Sequence, residues 1–262
     1  HRHLDWCPPL EWLGREPFLV AEKEGRIVAA LALPPAPSDV AWIRLFAAAS
    51  TVSVNSAWET LWQAALAEIA SLPEIRVIAA IPLQRWFLIN LENSGFEPIL
   101  KVVLLKWEGG DYSGQTSNPT IVVRPMVEND LQEVLAIDIA AFEPIWQITM
   151  NCLERAFFQA KVATVAVYDG VVAGYQISTP TPMGAHLARL ATLPDLQGQG
   201  IGSTLVHDLL KELQARGITH VTVNTQEDNL ASLAIYHKTG FRRTGEEYPV
   251  YQFRIAARAH PQ

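Results

Sequence analysis

Gln197-Gly198-Gln199-Gly200-Ile201-Gly202 stands between two segments of different periodicity. Before it, residues 186–193 read as a strand. After it, Leu205, Leu209 and Leu213 recur every four residues and put 201–216 on a helix, with Gly217 placed to end it. Glycines at such a strand-to-helix turn let the backbone bend sharply and approach a ligand closely. The first-turn N–H groups of the helix have no acceptor within it and point outward, which favours an anion such as a pyrophosphate. No Gly-Lys-Ser/Thr follows, so the turn is not a P-loop, and its spacing is not GxGxxG, which argues against a dinucleotide fingerprint.

Working outward, 221–225 reads as a strand and 230–239 as a helix, with strand material from 241 to 255. Upstream, 120–124 reads as a strand, and 128–142 and 150–160 as helices. Residues 162–168 and 171–178 form a hairpin turning at Asp169-Gly170. Earlier still come strands at 18–22, 26–33 and 40–47, a helix at 56–69 carrying Trp58, Leu61, Trp62, Ala65 and Ile69 on one face, a strand at 76–81, a helix at 84–93 and a strand region at 97–107. The order β-β-β-α-β-α-β thus occurs twice. One ungapped offset of 145 carries Gly25 onto Gly170, Arg44-Leu45 onto Arg189-Leu190 and Gly95-Phe96 onto Gly240-Phe241, the mark of a tandem duplication. Between the halves lies a Gly- and Ser-rich polar stretch. The expected division is a domain at 1–108, a linker at 109–118 and a domain at 119–262. The same offset sets His1 opposite Trp146, so the first domain lacks a counterpart of 120–145, its opening strand and helix. The chain also opens without Met, which favours a missing start over a reduced domain.

The turn resembles the acyl-CoA loop of the GNAT superfamily, Gln/Arg-x-x-Gly-x-Gly/Ala, through Gln197, Gly200 and Gly202. Asn229, Ala231, Tyr236, Gly240 and Phe241 are similar to that family's second signature. The resemblance covers 120 to about 255 and, more faintly, 1–107. It implies an α/β protein of α+β type: two tandem GNAT-like domains, each a mostly antiparallel mixed sheet flanked by helices. It further implies an acyltransferase moving an acetyl group from acetyl-CoA to a primary amine, a small molecule or a protein N-terminus, by direct attack. Ala191, Thr192 and Leu193 would pair with pantetheine as an added strand does, and Gln197, Gly198, Gln199, Gly200, Ile201, Gly202 and Ser203 would hold the pyrophosphate. Backbone N–H groups of Leu190 and Ala191 would face the oxyanion, and Tyr236 would protonate the departing thiolate. Asn229 would contact the coenzyme or cap the helix after it.

Many relatives place a glutamate on the strand before the loop, and 186–193 offers no acid. His186 is the base candidate there, with water-relayed deprotonation as the other route. The resemblance puts the acceptor pocket at 142–158 and 246–251, where Glu143, Glu246 and Glu247 would suit a cationic amine. In the first domain the offset sets Val52, Asn55 and Ala57 where Gln197, Gly200 and Gly202 stand, and Leu91 where Tyr236 stands. It therefore reads as a degenerate copy, with Trp58, Trp62, Trp86 and Phe87 as core. A non-catalytic module that binds acetyl-CoA as a sensed ligand is the competing reading.

Composition narrows the partners. Asp and Glu outnumber Lys and Arg by 27 to 20, and no basic cluster occurs, so a nucleic-acid backbone is not an expected partner. Cys7 and Cys152 are far apart and outside any CxxC pattern, so neither a disulfide framework nor a metal site is expected. No apolar run approaches the roughly 18–20 residues that span a bilayer, and no signal segment opens the chain, so the expectation is a cytoplasmic protein with no membrane partner. The oligomeric state stays open between monomer and homodimer.

Overall fold

The computed structural model describes residues 1–3, 6–35, 39–72, 74–110 and 120–255. In chain order the elements are β1 (Phe18–Lys23), β2 (Arg26–Ala32), β3 (Val40–Trp42), β4 (Leu45–Ala48), α1 (Val54–Ile69), β5 (Val77–Ala80), α2 (Arg85–Asn93) and β6 (Glu97–Trp107). Then follow β7 (Ile121–Pro125), α3 (Leu131–Ala141), α4 (Met150–Gln159), β8 (Val162–Tyr168), β9 (Val171–Thr181), β10 (Gly184–Thr192), α5 (Ile201–Ala215), β11 (Val221–Gln226), α6 (Leu230–Lys238) and β12 (Arg242–Arg254). This is the α+β content expected from the sequence. Two compact units arise, one from His1–Leu100, Pro144–Gln147 and Tyr248–Gln262, the other from Lys101–Glu143 and Ile148–Glu247.

The units do not follow a cut of the chain at 109–118, of which 111–118 lie outside the described residues. The reason is strand pairing. In the first unit, β12 pairs antiparallel with β5 from Tyr251↔Ala80 to Arg254↔Val77. In the second, β6 pairs antiparallel with β11 from Val221↔Trp107 to Gln226↔Val102. Each unit thus takes a strand from a remote part of the chain, which period-2 patterning identifies as a strand without naming its partner.

In the first unit β1, β2 and β4 make an antiparallel sheet, while β3 pairs parallel with β5. The single strand expected at 40–47 is therefore two, broken at Ile43-Arg44, with the two pieces pairing on different neighbours. The core under α1 contains Trp58, Leu61, Trp62, Ala65, Ile69, Phe87, Leu91 and Phe96. Trp58 and Trp62, one helical turn apart, stack at 5.6 Å with 7° between their planes, and the Trp58 indole N–H donates to Ser94 Oγ at 2.8 Å. Of the aromatic residues expected in the core, Trp86 alone is at the surface, 36% exposed.

In the second unit β6, β11, β10, β9, β8 and β7 lie in that order, antiparallel except for the parallel pair β10–β11. Val206, Leu209, Leu210 and Leu213 of α5 bury against Leu187, Val221 and Val223. Both hairpins turn on an acid followed by glycine, Glu24-Gly25 and Asp169-Gly170. All four residues have positive φ (53°, 72°, 49° and 81°), as a two-residue turn that matches strand twist requires. Likewise α2 and α6 end on the same bond, Phe96 N–H to Leu91 O (3.1 Å) and Phe241 N–H to Tyr236 O (2.9 Å), closed through Gly95 and Gly240 in the left-handed region. Among the described residues no helix is long and apolar enough to cross a membrane.

Because β6 completes one side of β11, a fragment starting at residue 119 exposes the backbone edge of β11 along its whole length. We expect residues 119–262 to lack a cooperative thermal transition where the full chain shows one. A sharp melt with native-like near-UV dichroism from the fragment would contradict the pairing.

Candidate active site

The parallel pairing of β10 with β11 is short: Ala185↔Val221, His186↔Thr222 and Leu187↔Val223. At that point β10 carries a bulge at Ala188, and from Arg189 to Thr192 it pairs only with β9. Backbone groups of β10 beyond Leu187 that face β11 have no strand to satisfy them, an arrangement that a ligand adding as a strand can complete. The first unit repeats the break in pairing: β3 leaves β5 after Trp42↔Ala79, and β4 then pairs with β2.

From Thr192 the chain runs through a short 3-10 turn, Pro194–Leu196, into the glycine stretch. Gly200 caps α5 at φ 88°, and Thr204 closes the first turn by donating from N–H and Oγ1 to Gly200 O, both at 2.9 Å. N–H groups of Ile201, Gly202 and Ser203 thus precede the first N–H that donates within the helix, that of Thr204. Gln197, Gly198 and Gln199 are exposed, and a Cβ at Gly198 or Gly200 would meet nothing within 4 Å. Both glycines have φ in the left-handed region (81° and 88°), which the turn itself requires. The space above them leaves the approach to these amides open, and an anion at the helix start fits it.

Gly202 also has a packing role that its place in the loop does not show. It is buried, and a Cβ there would sit 2.9 Å from Ile235 Cδ1, so Gly202 lets α5 pack closely on α6. Gly174 on β9 was not singled out in the sequence, although an isolated glycine within a strand signals close approach. Its Cβ would lie 2.8 Å from Ala191 O and 2.9 Å from Ile201 Cγ2. It brings the end of β10 and the start of α5 together.

Tyr236 is 4% exposed and packs on Phe241 at 5.6 Å, and burial pushes its phenol pKa up. It stays protonated near neutral pH, the state a proton donor needs. Asn229 is the N-cap of α6: its Oδ1 accepts from Ser232 N–H at 3.0 Å, while its Nδ2 donates to Gln226 Oε1 at 3.4 Å. His186 lies in the still-paired part of β10, with Nδ1 2.8 Å from Thr222 Oγ1, and burial lowers its pKa to about 4. An imidazole so hard to protonate is a poor base for an ammonium group. Of the acidic candidates, Glu143, Glu246 and Glu247 are exposed, and Glu247 pairs with Lys101 at 2.9 Å.

A carboxylate stands beside β10 on α3, already engaged by other groups. Asp138 is fully buried and accepts from Arg189 Nε (2.5 Å) and Nη2 (2.9 Å), from Tyr175 OH, and from Ile148 N–H (3.3 Å). Arg189 also lies over the Phe142 ring, 4.1 Å from its centroid. Asp138 and Arg189 are remote in sequence, and no local pattern joins them.

Residues 131–241 match the model of the Acetyltransferase (GNAT) family. This segment of the chain is GNAT-like in sequence. Over 73 residues the chain is 33% identical to the [ribosomal protein bS18]-alanine N-acetyltransferase of Escherichia coli K12, an alignment covering 28% of this chain and 49% of that protein. The chain therefore spans about half the length of this curated relative. Likeness in fold extends further. A GCN5-related N-acetyltransferase from Sphaerobacter thermophilus superposes with a TM-score of 0.63 at 14% identity, covering 94% of this chain and 84% of that one. A tandem GNAT protein from the clavulanic acid biosynthesis pathway gives 0.60 at 15% identity, covering 92% and 84%. The fold of the chain is thus a GNAT-like one, as the sequence led us to expect.

Two outcomes follow from this geometry. Because His186 is held neutral by burial, its folded-state pKa lies below its unfolded value near 6.5. The unfolded chain binds the extra proton between those values, so stability falls as pH drops from about 6.5 to about 4, by up to about 3 kcal/mol. A His186→Gln variant should show a shallower loss of urea midpoint over that window; an unchanged slope would contradict it. Gly174→Ala, which meets backbone, should destabilise by about 1–3 kcal/mol. Gly202→Ala, which meets only the tip of Ile235, should cost less and be relieved by Ile235→Val; equal costs in thermal melts would contradict the distinction.

Proposed function

We propose that the second unit is an N-acetyltransferase that uses acetyl-CoA to acetylate a primary amine. The observation that carries this reading is the departure of β10 from β11 directly before a helix start approached through glycines. In this reading the open edge of β10 at Ala191, Thr192 and Leu193 pairs with the pantetheine arm. The amides from Gln197 to Ser203 hold the pyrophosphate. Leu190 N–H, which points away from β9, donates to the carbonyl oxygen as negative charge grows on it and, held in place by the flanking rungs to β9, needs no reorganisation. Ala191 N–H, in register with Leu193 whose N–H donates to Ala173 O, faces β9 and is not free to join it.

A neutral amine attacks the thioester carbon, the C–N bond forms, and the C–S bond breaks. Tyr236 gives its proton to the departing sulfur, and the amine's surplus proton leaves through water, since His186 is a weak base and Asp138 is committed to Arg189. An α-amine, with a pKa near 8, is deprotonated in useful amount at neutral pH without a strong base, whereas a lysine near 10.4 is not. This favours an α-amine acceptor, in keeping with the relative whose name places it on an alanine of a ribosomal protein. The first unit is a degenerate copy in this reading. It repeats the hairpin turn, the helix-ending Gly-Phe and the strand break, and has Asn55, Ala57 and Leu91 where the second unit has Gly200, Gly202 and Tyr236.

One observation favours a second reading, an acetyl-CoA-binding module without turnover: β10 carries no acid, and Asp138 beside it on α3 is engaged by Arg189. Calorimetric titration of the full chain with acetyl-CoA, followed by an amine acetylation screen, separates the two. Binding at one site per chain with turnover is expected. Binding with no turnover on any amine selects the module, and absence of binding overturns both. Tyr236→Phe should lower kcat by about 10–100-fold with acetyl-CoA affinity little changed; a wild-type kcat would remove Tyr236 from the proton donor's role.

A further inference from the structure

Parallel strands, once paired, gain a satisfied N–H and C=O with each further rung, so β10 and β11 by default continue past Leu187↔Val223. Something must hold β10 off. The bulge at Ala188 sits directly before Arg189, and the Arg189 guanidinium is drawn onto α3 by a side-on, two-point contact with Asp138. Tyr175, whose register partner across β9–β10 is Ala191, donates to the same carboxylate and lies 3.3 Å from Arg189 Nε. The cluster therefore grips the open segment of β10 at two points, Arg189 itself and the rung at Ala191.

We propose that Arg189 is a positioning residue: clamped by Asp138 and Tyr175, it sets the bulge and turns β10 away from β11, which keeps the backbone of Leu190 to Leu193 open to acetyl-CoA. This rests on the reading of that edge as the acyl-CoA site. A buried ion pair is weak evidence of stability, because apolar side chains of like volume fill such a place as well or better. Its retention at 11% exposure for Arg189 and none for Asp138 calls for a geometric role. The first unit supplies an independent observation. Arg44, carried onto Arg189 by the offset of 145, is 8% exposed and stands between β3 and β4, where the corresponding strand leaves β5. It too faces an aromatic ring, Trp12, at 4.9 Å. The arginine accompanies the strand break even where the glycine loop is gone.

The test uses the full chain carrying Asp138→Leu together with Arg189→Met, which removes both charges and leaves neither buried alone. The clamp predicts a near-native melting temperature, acetyl-CoA affinity weakened by about tenfold or more in calorimetry, and slower hydrogen exchange in 189–192 as these residues pair with β11. A merely structural pair predicts native affinity and native exchange once the fold is kept, and that result overturns the proposal. Should the double variant melt early, Arg189→Lys carries the comparison. It keeps the charge without the planar fork, and the clamp predicts a smaller loss of affinity and a smaller slowing of exchange; no change in either overturns it. Failure of the wild type to bind acetyl-CoA would sink the functional reading alone, and the exchange rates in 189–192 would still decide the clamp.

Discussion

The structure of the second unit turns on one interrupted pairing. β10 and β11 share three rungs and then part, and the edge proposed to take the pantetheine arm lies beyond the third. Backbone polar groups seldom remain unpaired away from water. A break in a central parallel pair therefore needs a cause on one side and an occupant on the other. The cause lies in the bulge at Ala188 and the Asp138–Arg189–Tyr175 cluster. The occupant we assign is the extended arm of acetyl-CoA, which has amide groups to pair with a strand edge.

The elements around the break have matching tasks. Gly174 lets the end of β10 and the first turn of α5 come within contact of β9, which sets the unpaired edge and the amide-rich helix start side by side. Gly202 lets α5 lie on α6, whose Tyr236 is buried and held protonated. Asn229 fixes where α6 begins. Each of these residues shapes the approach to the site through packing or capping, and Tyr236 is the one side chain among them to which we assign a chemical step.

Much of this was legible in the sequence. The glycine stretch before a Leu205-Leu209-Leu213 face located the strand-to-helix turn, and acid-Gly dipeptides located both hairpins. The offset of 145 found residues that do the same backbone work in both halves, the Gly25 and Gly170 turns and the Gly95 and Gly240 helix ends. Strand partners were not legible, because alternation marks a strand but not its neighbour; hence β6 and β12 pair across distant chain segments that a cut at 109–118 would separate. The bulge at Ala188 leaves no local mark, and the division of 40–47 into β3 and β4 was hidden for the same reason. Asp138 and Arg189 are joined only by the tertiary fold. The motif position of Gly202 did not show that its missing Cβ also makes room for Ile235.

The most direct measurement is a crystal structure of the full chain with CoA. The account predicts pantetheine amides hydrogen-bonded to the β10 edge at Ala191 to Leu193, between β10 and β11, with the pyrophosphate on the N–H groups at the start of α5. CoA bound elsewhere, or β10 paired with β11 beyond Leu187↔Val223 and the coenzyme excluded, would contradict it.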